Sequence, residues 1–258
     1  MAKHTDPIAV FDSGMGGISV LKEIVRLMPE EDFIYFGDSK NAPYGTKSLE
    51  EVRSLTLSNI AYLLNEHHAK AIAVACNTAT SAAVRTLRQL YPQVPLVGVE
   101  PAIKPAVYSM EHPRVLVMAT PYTIHGEKFR DLCKIYEDAA TIYPLACAGL
   151  MEFVEHGILY GEELEDFLHG LMDPYLKQGV DCIVLGCTHY PFVRETIQKI
   201  AGDEVTLYDG SYGTARELRR RITVAGLNHD PDHKGQVTFY NSAGDPGRIR
   251  LSQFLFHL

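Results

Sequence analysis

Ile72-Ala73-Val74-Ala75-Cys76-Asn77-Thr78 is an apolar run that stops at a cysteine and two small polar residues, and Ile183-Val184-Leu185-Gly186-Cys187-Thr188-His189 repeats the pattern 111 residues later. Each run has the length of a buried strand, and each ends in residues suited to opening a helix. Two further pairs keep nearly the same interval. Asp12 and Thr120, both at strand ends, lie 108 residues apart, and the runs starting at Leu96 and Val205 lie 109 apart. The spacing predicts duplication of a half-length α/β unit.

Between these landmarks, short apolar runs alternate with segments of helical period, the pattern of parallel sheets wrapped by helices. The first half carries predicted strands Ile8 to Phe11, Phe33 to Phe36, Ala71 to Ala75 and Leu96 to Val99. The second carries Val115 to Met118, Thr141 to Tyr143, Cys182 to Gly186 and Val205 to Tyr208. Ser48 with Glu51 three residues on forms a capping box, and Leu49, Val52, Leu55, Ile60, Leu63 and Leu64 continue it as one helix. Leu164, Phe167, Leu168, Leu171, Met172, Tyr175 and Leu176 form the stripe of another, with Pro174 near its end. The tail from Asp209 holds a helix near Thr214 to Thr223, a polar loop from Asn228 to Gly235 and a strand from Val237 to Tyr240.

Composition narrows the class. A 258-residue chain that is 46% hydrophobic can bury a core without disulfides or a structural metal. Its net charge of -8, from 24 basic and 32 acidic side chains with no basic cluster, argues against nucleic acid as a partner. No apolar run reaches the ~20 residues of a membrane span, and Met1-Ala2-Lys3-His4-Thr5-Asp6-Pro7 lacks a signal-peptide core. Five cysteines, an odd number at irregular spacing, fit a reducing compartment. We therefore expect a soluble, cytoplasmic protein.

Ligands of parallel α/β sheets bind beyond the carboxyl ends of the strands, and the reactive residues of this chain sit there. The first predicted strand runs into Asp12-Ser13-Gly14-Met15-Gly16-Gly17, whose glycines allow a tight turn before a helix N-terminus. A thiol near a helix N-terminus drops below its usual pKa of ~8.5 and becomes a base or nucleophile. Cys76 and Cys187 are expected in that position. Cys182 opens a strand and should pack in the core, while Cys133 and Cys147 lack flanking catalytic partners. If the halves face one another, Asp12 assists Cys76 and His189 assists Cys187. No C-x-x-C or H-x-x-x-H grouping supplies the two cysteines with further ligands, so no metal is expected there. The loop Gly37 to Thr46 is rich in turn residues and hydroxyls that can hold a carboxylate, and Glu152 and Glu155 are spaced to present one carboxylate.

Taken in order, Asp12-Ser13-Gly14-x-Gly16-Gly17, Pro43-Tyr44-Gly45, Cys76-Asn77-Thr78 and Gly186-Cys187-Thr188-His189 resemble the motif set of bacterial glutamate racemases, within the aspartate/glutamate racemase superfamily. The resemblance covers nearly the whole chain. It implies two pseudo-symmetric α/β domains, residues 1–100 plus 209–258 and residues 101–208, with the active site in the cleft between them. It implies interconversion of L- and D-glutamate without pyridoxal phosphate, metal or nucleotide, to supply D-glutamate for peptidoglycan. Carried over by residue, Cys76 and Cys187 are the catalytic bases, acting on D- and L-glutamate respectively. Asp12 and His189 assist them and also contact substrate. Ser13, Pro43, Tyr44, Gly45, Thr46, Asn77, Thr78 and Thr188 become substrate contacts, with Thr120 in a less closely matching turn. The family's acidic residue falls on Glu155 in Val154-Glu155-His156-Gly157, with Glu152 its neighbour. Ala148 stands where the family often has proline after Ala-Cys. A homodimer is common in the family, and the short N-terminus leads us to expect no peptidoglycan-precursor activator.

The chemistry asks for the same arrangement, since inverting an α-carbon needs one base on each face. Three other readings remain open on the sequence. One is a racemase of aspartate or another amino acid, another a non-catalytic two-domain binding module for an anion or amino acid. The third is a thiol hydrolase using Cys187 and His189, which would leave Cys76 without a role.

Overall fold

The computed structural model describes residues 2–258, the side chain of Lys128 apart; Met1, the first residue of the predicted first domain, lies outside the described residues. By packing, the chain divides into two compact units, Met1–Glu100 with Ser211–Leu258, and Pro101–Gly210.

The first unit is built on a five-stranded parallel sheet. Its strands are β1 (Ile8–Asp12), β2 (Phe33–Gly37), β3 (Ala71–Val74), β4 (Leu96–Gly98) and, from the chain's tail, β9 (Val237–Asn241). They lie in the order β4-β3-β1-β2-β9, every neighbour pair parallel. β1, β2 and β3 are buried along their whole length. Such continuous apolar runs belong to sheets covered by helices on both faces. The helices are α1 (Ile18–Leu27), α2 (Leu49–Asn65) and α3 (Asn77–Leu90), joined by α10 (Ser211–Val224) and α11 (Pro246–His257). The predicted capping box is real, because the Ser48 hydroxyl accepts the Glu51 N–H at 3.2 Å. Val52, Ile60 and Leu63 face the core from α2, whereas Leu49 is exposed. α2 packs on α3, and α10 packs on α1.

The second unit holds a four-stranded parallel sheet of β5 (Arg114–Ala119), β6 (Thr141–Ala146), β7 (Cys182–Leu185) and β8 (Thr206–Asp209), in the order β6-β5-β7-β8. Its helices are α4 (Ile103–Val107), α5 (Pro121–His125), α6 (Glu127–Ile135), α7 (Leu150–Glu155), α8 (Glu162–Leu176) and α9 (Arg194–Ala201). Three glutamates in the first turn of α8 suit the positive end of its dipole, and Leu164, Leu168 and Met172 seat it on the core.

Read from the other edge, the second sheet runs β8-β7-β5-β6, the same order as β4-β3-β1-β2. β1 thus corresponds to β5, and β3 to β7. Two copies of one winding order account for the regular intervals in the sequence, and β9 is the strand the first sheet has in addition.

Candidate active site

In the first unit the turn after β1 brings backbone and side chains together tightly. Asp12 is fully buried, and its Oδ2 accepts the Gly14 N–H at 2.9 Å. A Cβ on Gly17 would lie 2.7 Å from the Asp12 Cβ and 2.9 Å from the Ala75 Cβ, so only glycine lets this turn close against the end of β3. Cys76 follows that strand as the N-cap of α3, and its Sγ accepts the Ala79 N–H at 3.5 Å. An N–H aimed at the sulfur from a helix N-terminus favours negative charge there. Ser13 Oγ stands 3.4 Å from the same sulfur. Asn77 and Thr78 are buried in the first turn of α3, and Asn77 Oδ1 has no hydrogen-bond partner among the described residues.

The loop after β2 is fixed by an acid that sequence reasoning did not single out. Asp38 Oδ2 accepts the Tyr44 hydroxyl at 2.6 Å and the Asn59 amide at 3.0 Å, while Oδ1 accepts the Asn41 amide at 3.0 Å and the Ser242 hydroxyl at 2.6 Å. The Tyr44 hydroxyl is therefore committed to Asp38. Burial, then the bond to Asp38, raises its pKa and keeps the phenol protonated. Pro43 and Gly45 are half-buried, and Thr46 is exposed with its hydroxyl donating to the Pro43 carbonyl at 3.3 Å. An acid directly past a strand end, followed by amide and hydroxyl residues, was the available signal for Asp38.

In the second unit Cys187 follows β7. Its Sγ lies 3.6 Å from His189 Nδ1, and His189 Nε2 lies 2.8 Å from Glu155 Oε1. Both His189 and Glu155 have nearly buried side chains. Burial works against a charged imidazole here, but the Cys187 sulfur, as thiolate, and the Glu155 carboxylate outweigh it and hold His189 well above its ordinary pKa. In the imidazolium form each ring nitrogen donates, one to sulfur and one to carboxylate. Of the two glutamates, Glu155 at the end of α7 makes this contact. Thr120 caps α5 through the Thr123 N–H at 3.3 Å, and Thr188 is buried beside Cys187.

The expectation that Cys187 occupies a helix N-terminus is not met. Residues Tyr190–Val193 form a 3-10 turn and α9 starts only at Arg194. The reason is Pro191: without an N–H it cannot close an α-helical bond onto the Cys187 carbonyl, which instead accepts the Tyr190 N–H at 3.1 Å. In this unit the polar contact to the sulfur comes from His189 Nδ1 and not from a helix end. Cys182 is fully buried in β7, as expected of a core residue. Cys147, read as lacking catalytic partners, is a buried neighbour of Cys187. Burial and then the Cys187 charge push its thiol up to about 12. The Tyr190 hydroxyl donates to the Cys147 carbonyl at 3.3 Å.

A model of the Asp/Glu/Hydantoin racemase family matches residues 8–218, a span that includes both cysteine strand ends. The chain belongs to that family. Among Asp/Glu/Hydantoin racemase relatives, the glutamate racemase of Clostridium botulinum (strain Alaska E43 / Type E3) is 49% identical over 255 residues, covering 99% of this chain and 98% of its own. The crystal structure of the Francisella tularensis glutamate racemase in complex with D-glutamate superposes with a TM-score of 0.83 at 28% identity, over 99% of this chain and 95% of that one. The Escherichia coli glutamate racemase, in complex with L-glutamate and the activator UDP-MurNAc-ala, gives 0.84 at 29% identity, over 97% and 95%.

Proposed function

We propose that this chain is a cofactor-independent racemase interconverting L- and D-glutamate, with Cys76 and Cys187 as its two acid/base thiols, supplying D-glutamate for peptidoglycan. One observation carries the reading. The corresponding strands β3 and β7 of two sheets of equal winding order each run into a buried cysteine with its own polar partner, Ser13 Oγ on one and His189 on the other. The close identity to named glutamate racemases over the whole chain supports glutamate over aspartate as substrate.

In the direction from L to D, the Cys187 thiolate takes the α-proton and the Cys76 thiol delivers one to the opposite face. The two sulfurs end with exchanged protonation states, ready for the reverse reaction. His189, held as imidazolium by Glu155, stabilises the Cys187 thiolate, and the α3 N-terminus does so for Cys76. The α-proton is weakly acidic, so the N–H and hydroxyl donors at the strand ends carry much of the stabilisation of the developing carbanion. Asn77 Oδ1, buried with no partner among the described residues, would serve as an acceptor for the substrate ammonium.

Racemisation of L-glutamate in heavy water tests the reading. Early product should carry solvent deuterium while remaining substrate keeps its proton. Cys76→Ala and Cys187→Ala should each abolish inversion, and full racemase activity in either would end the two-thiol mechanism.

A second reading draws on the Cys187, His189 and Glu155 relay, which has the connectivity of a thiol hydrolase. It gives Cys76 nothing to do. Hydrolytic activity that persists in Cys76→Ala while no inversion is detected in the parent protein would favour it.

A further inference from the structure

His229-Asp230-Pro231-Asp232-His233 contains an H-x-x-x-H spacing that lies far from both cysteines in the sequence. We propose that Asp32, His229 and His233, all in the first unit, form a binding site for a divalent transition-metal ion of the zinc type, separate from the thiol chemistry. One ligand atom from each of the three lies within 4.8 Å of the others. The imidazoles are stacked, with ring centroids 3.9 Å apart, so one ring must turn for both to ligate a common ion, and His233 Nε2 stands 3.2 Å from Asp32 Oδ1. Two imidazoles and a carboxylate are a donor set that suits zinc, copper or nickel. An ion about 2.0–2.1 Å from each donor would draw the three closer together, and it would take the place of the proton now between His233 and Asp32. All three side chains are half-buried, which leaves a further position for water.

The backbone holds this set in place. Asp32 directly precedes β2, and the histidines lie on the loop that leads into β9. Asp32 Oδ1 accepts the Gln236 N–H at 2.9 Å, and the Phe33 N–H donates to the Gln236 carbonyl at 2.7 Å. The Gly235 N–H reaches the Pro29 carbonyl at 3.0 Å, and a Cβ on Gly235 would collide with the Glu31 carbonyl, so the loop is pressed onto the segment that carries Asp32. The His229 N–H donates to Glu31 Oε1 at 2.9 Å. His229 Nδ1 currently accepts the Asp230 N–H at 2.8 Å, a bond that ligation through either nitrogen must rearrange. A bound ion would fasten β9 to β2 and stabilise the fold by mass action.

The test uses the full-length protein, with Zn2+ followed by calorimetry and thermal unfolding and Co2+ followed by absorption. The expected result is one Zn2+ per chain and a rise in Tm. His229→Gln and His233→Gln should each weaken binding by more than about tenfold and cancel the Tm rise. Both variants should retain the racemase activity of the metal-free parent. The parent's Co2+ spectrum, which needs no variant, should show d–d bands without thiolate charge transfer. Absence of binding, a thiolate band, or affinity unchanged by both substitutions overturns the site.

Discussion

Glu155, after Cys187, contributes to the charge of His189, and that dependence can be measured. Its carboxylate is one of the contacts that hold the imidazole pKa high against burial. Glu155→Gln should therefore lower the His189 pKa, shift the alkaline limb of the activity profile to lower pH and reduce kcat by about 10²-fold or more. A profile unchanged from the parent would remove Glu155 from the mechanism. The sign for stability is the same. A raised imidazole pKa adds stability below the value of the unfolded chain, and that stability is lost as pH rises through the folded value. Cys147 makes the opposite case. With its thiol pushed up to about 12 it stays protonated at neutral pH, so alkylation there should spare it, and Cys147→Ser should remain active. Mass spectrometry of the alkylated protein checks this, and preferential labelling of Cys147 would contradict it. The two strand-end cysteines and His189 were legible because short runs of sequence place them. Asp38 was less so, since only its place past a strand end marks it locally and its partner Ser242 lies 204 residues away.

The turn between β1 and α1 is where packing and chemistry meet. Gly17→Ala would force a Cβ to within 2.7 Å of Asp12 and displace the turn beside Cys76. It should cost about 1–3 kcal/mol in urea unfolding and most of the activity, whereas full activity would show that the turn relaxes freely. Ser48→Ala should cost only about 1 kcal/mol through the lost cap of α2, with activity kept. Each sequence-predicted strand has a counterpart in the fold, because runs such as Ile8 to Phe11 are too apolar for anything but a covered sheet. Boundaries moved for definable reasons. β6 was expected to end at Tyr143 yet continues through Pro144 to Ala146, which its place at the edge of the sheet permits. The helix α11 was not foreseen. Asp245 capping the Gly247 N–H at 2.8 Å, with Pro246 behind it, was the overlooked start signal.

Within the first unit, residues from both ends of the chain meet at a buried ion pair. Lys70 and Glu31 are both fully buried, Lys70 Nζ also donates to the His4 carbonyl, and Glu31 holds the His229 N–H. Lys70→Met would strand the Glu31 carboxylate and should cost about 3–5 kcal/mol by denaturant unfolding, where a loss below 1 kcal/mol would show that water reaches the site. The outermost strand carries a further consequence. β9 pairs with β2 in parallel from Phe33↔Val237 to Gly37↔Asn241, so the two partners are separated by nearly the whole chain. On a ribosome adding about 5–20 residues each second, roughly 200 residues must follow β2 before β9 exists, so the flank of β2 waits for about 10–40 s without its partner. Over that interval the nascent polypeptide offers a row of unsatisfied amides and carbonyls to any neighbouring strand, so yield in a translating cell should depend on chaperone capture and on elongation speed.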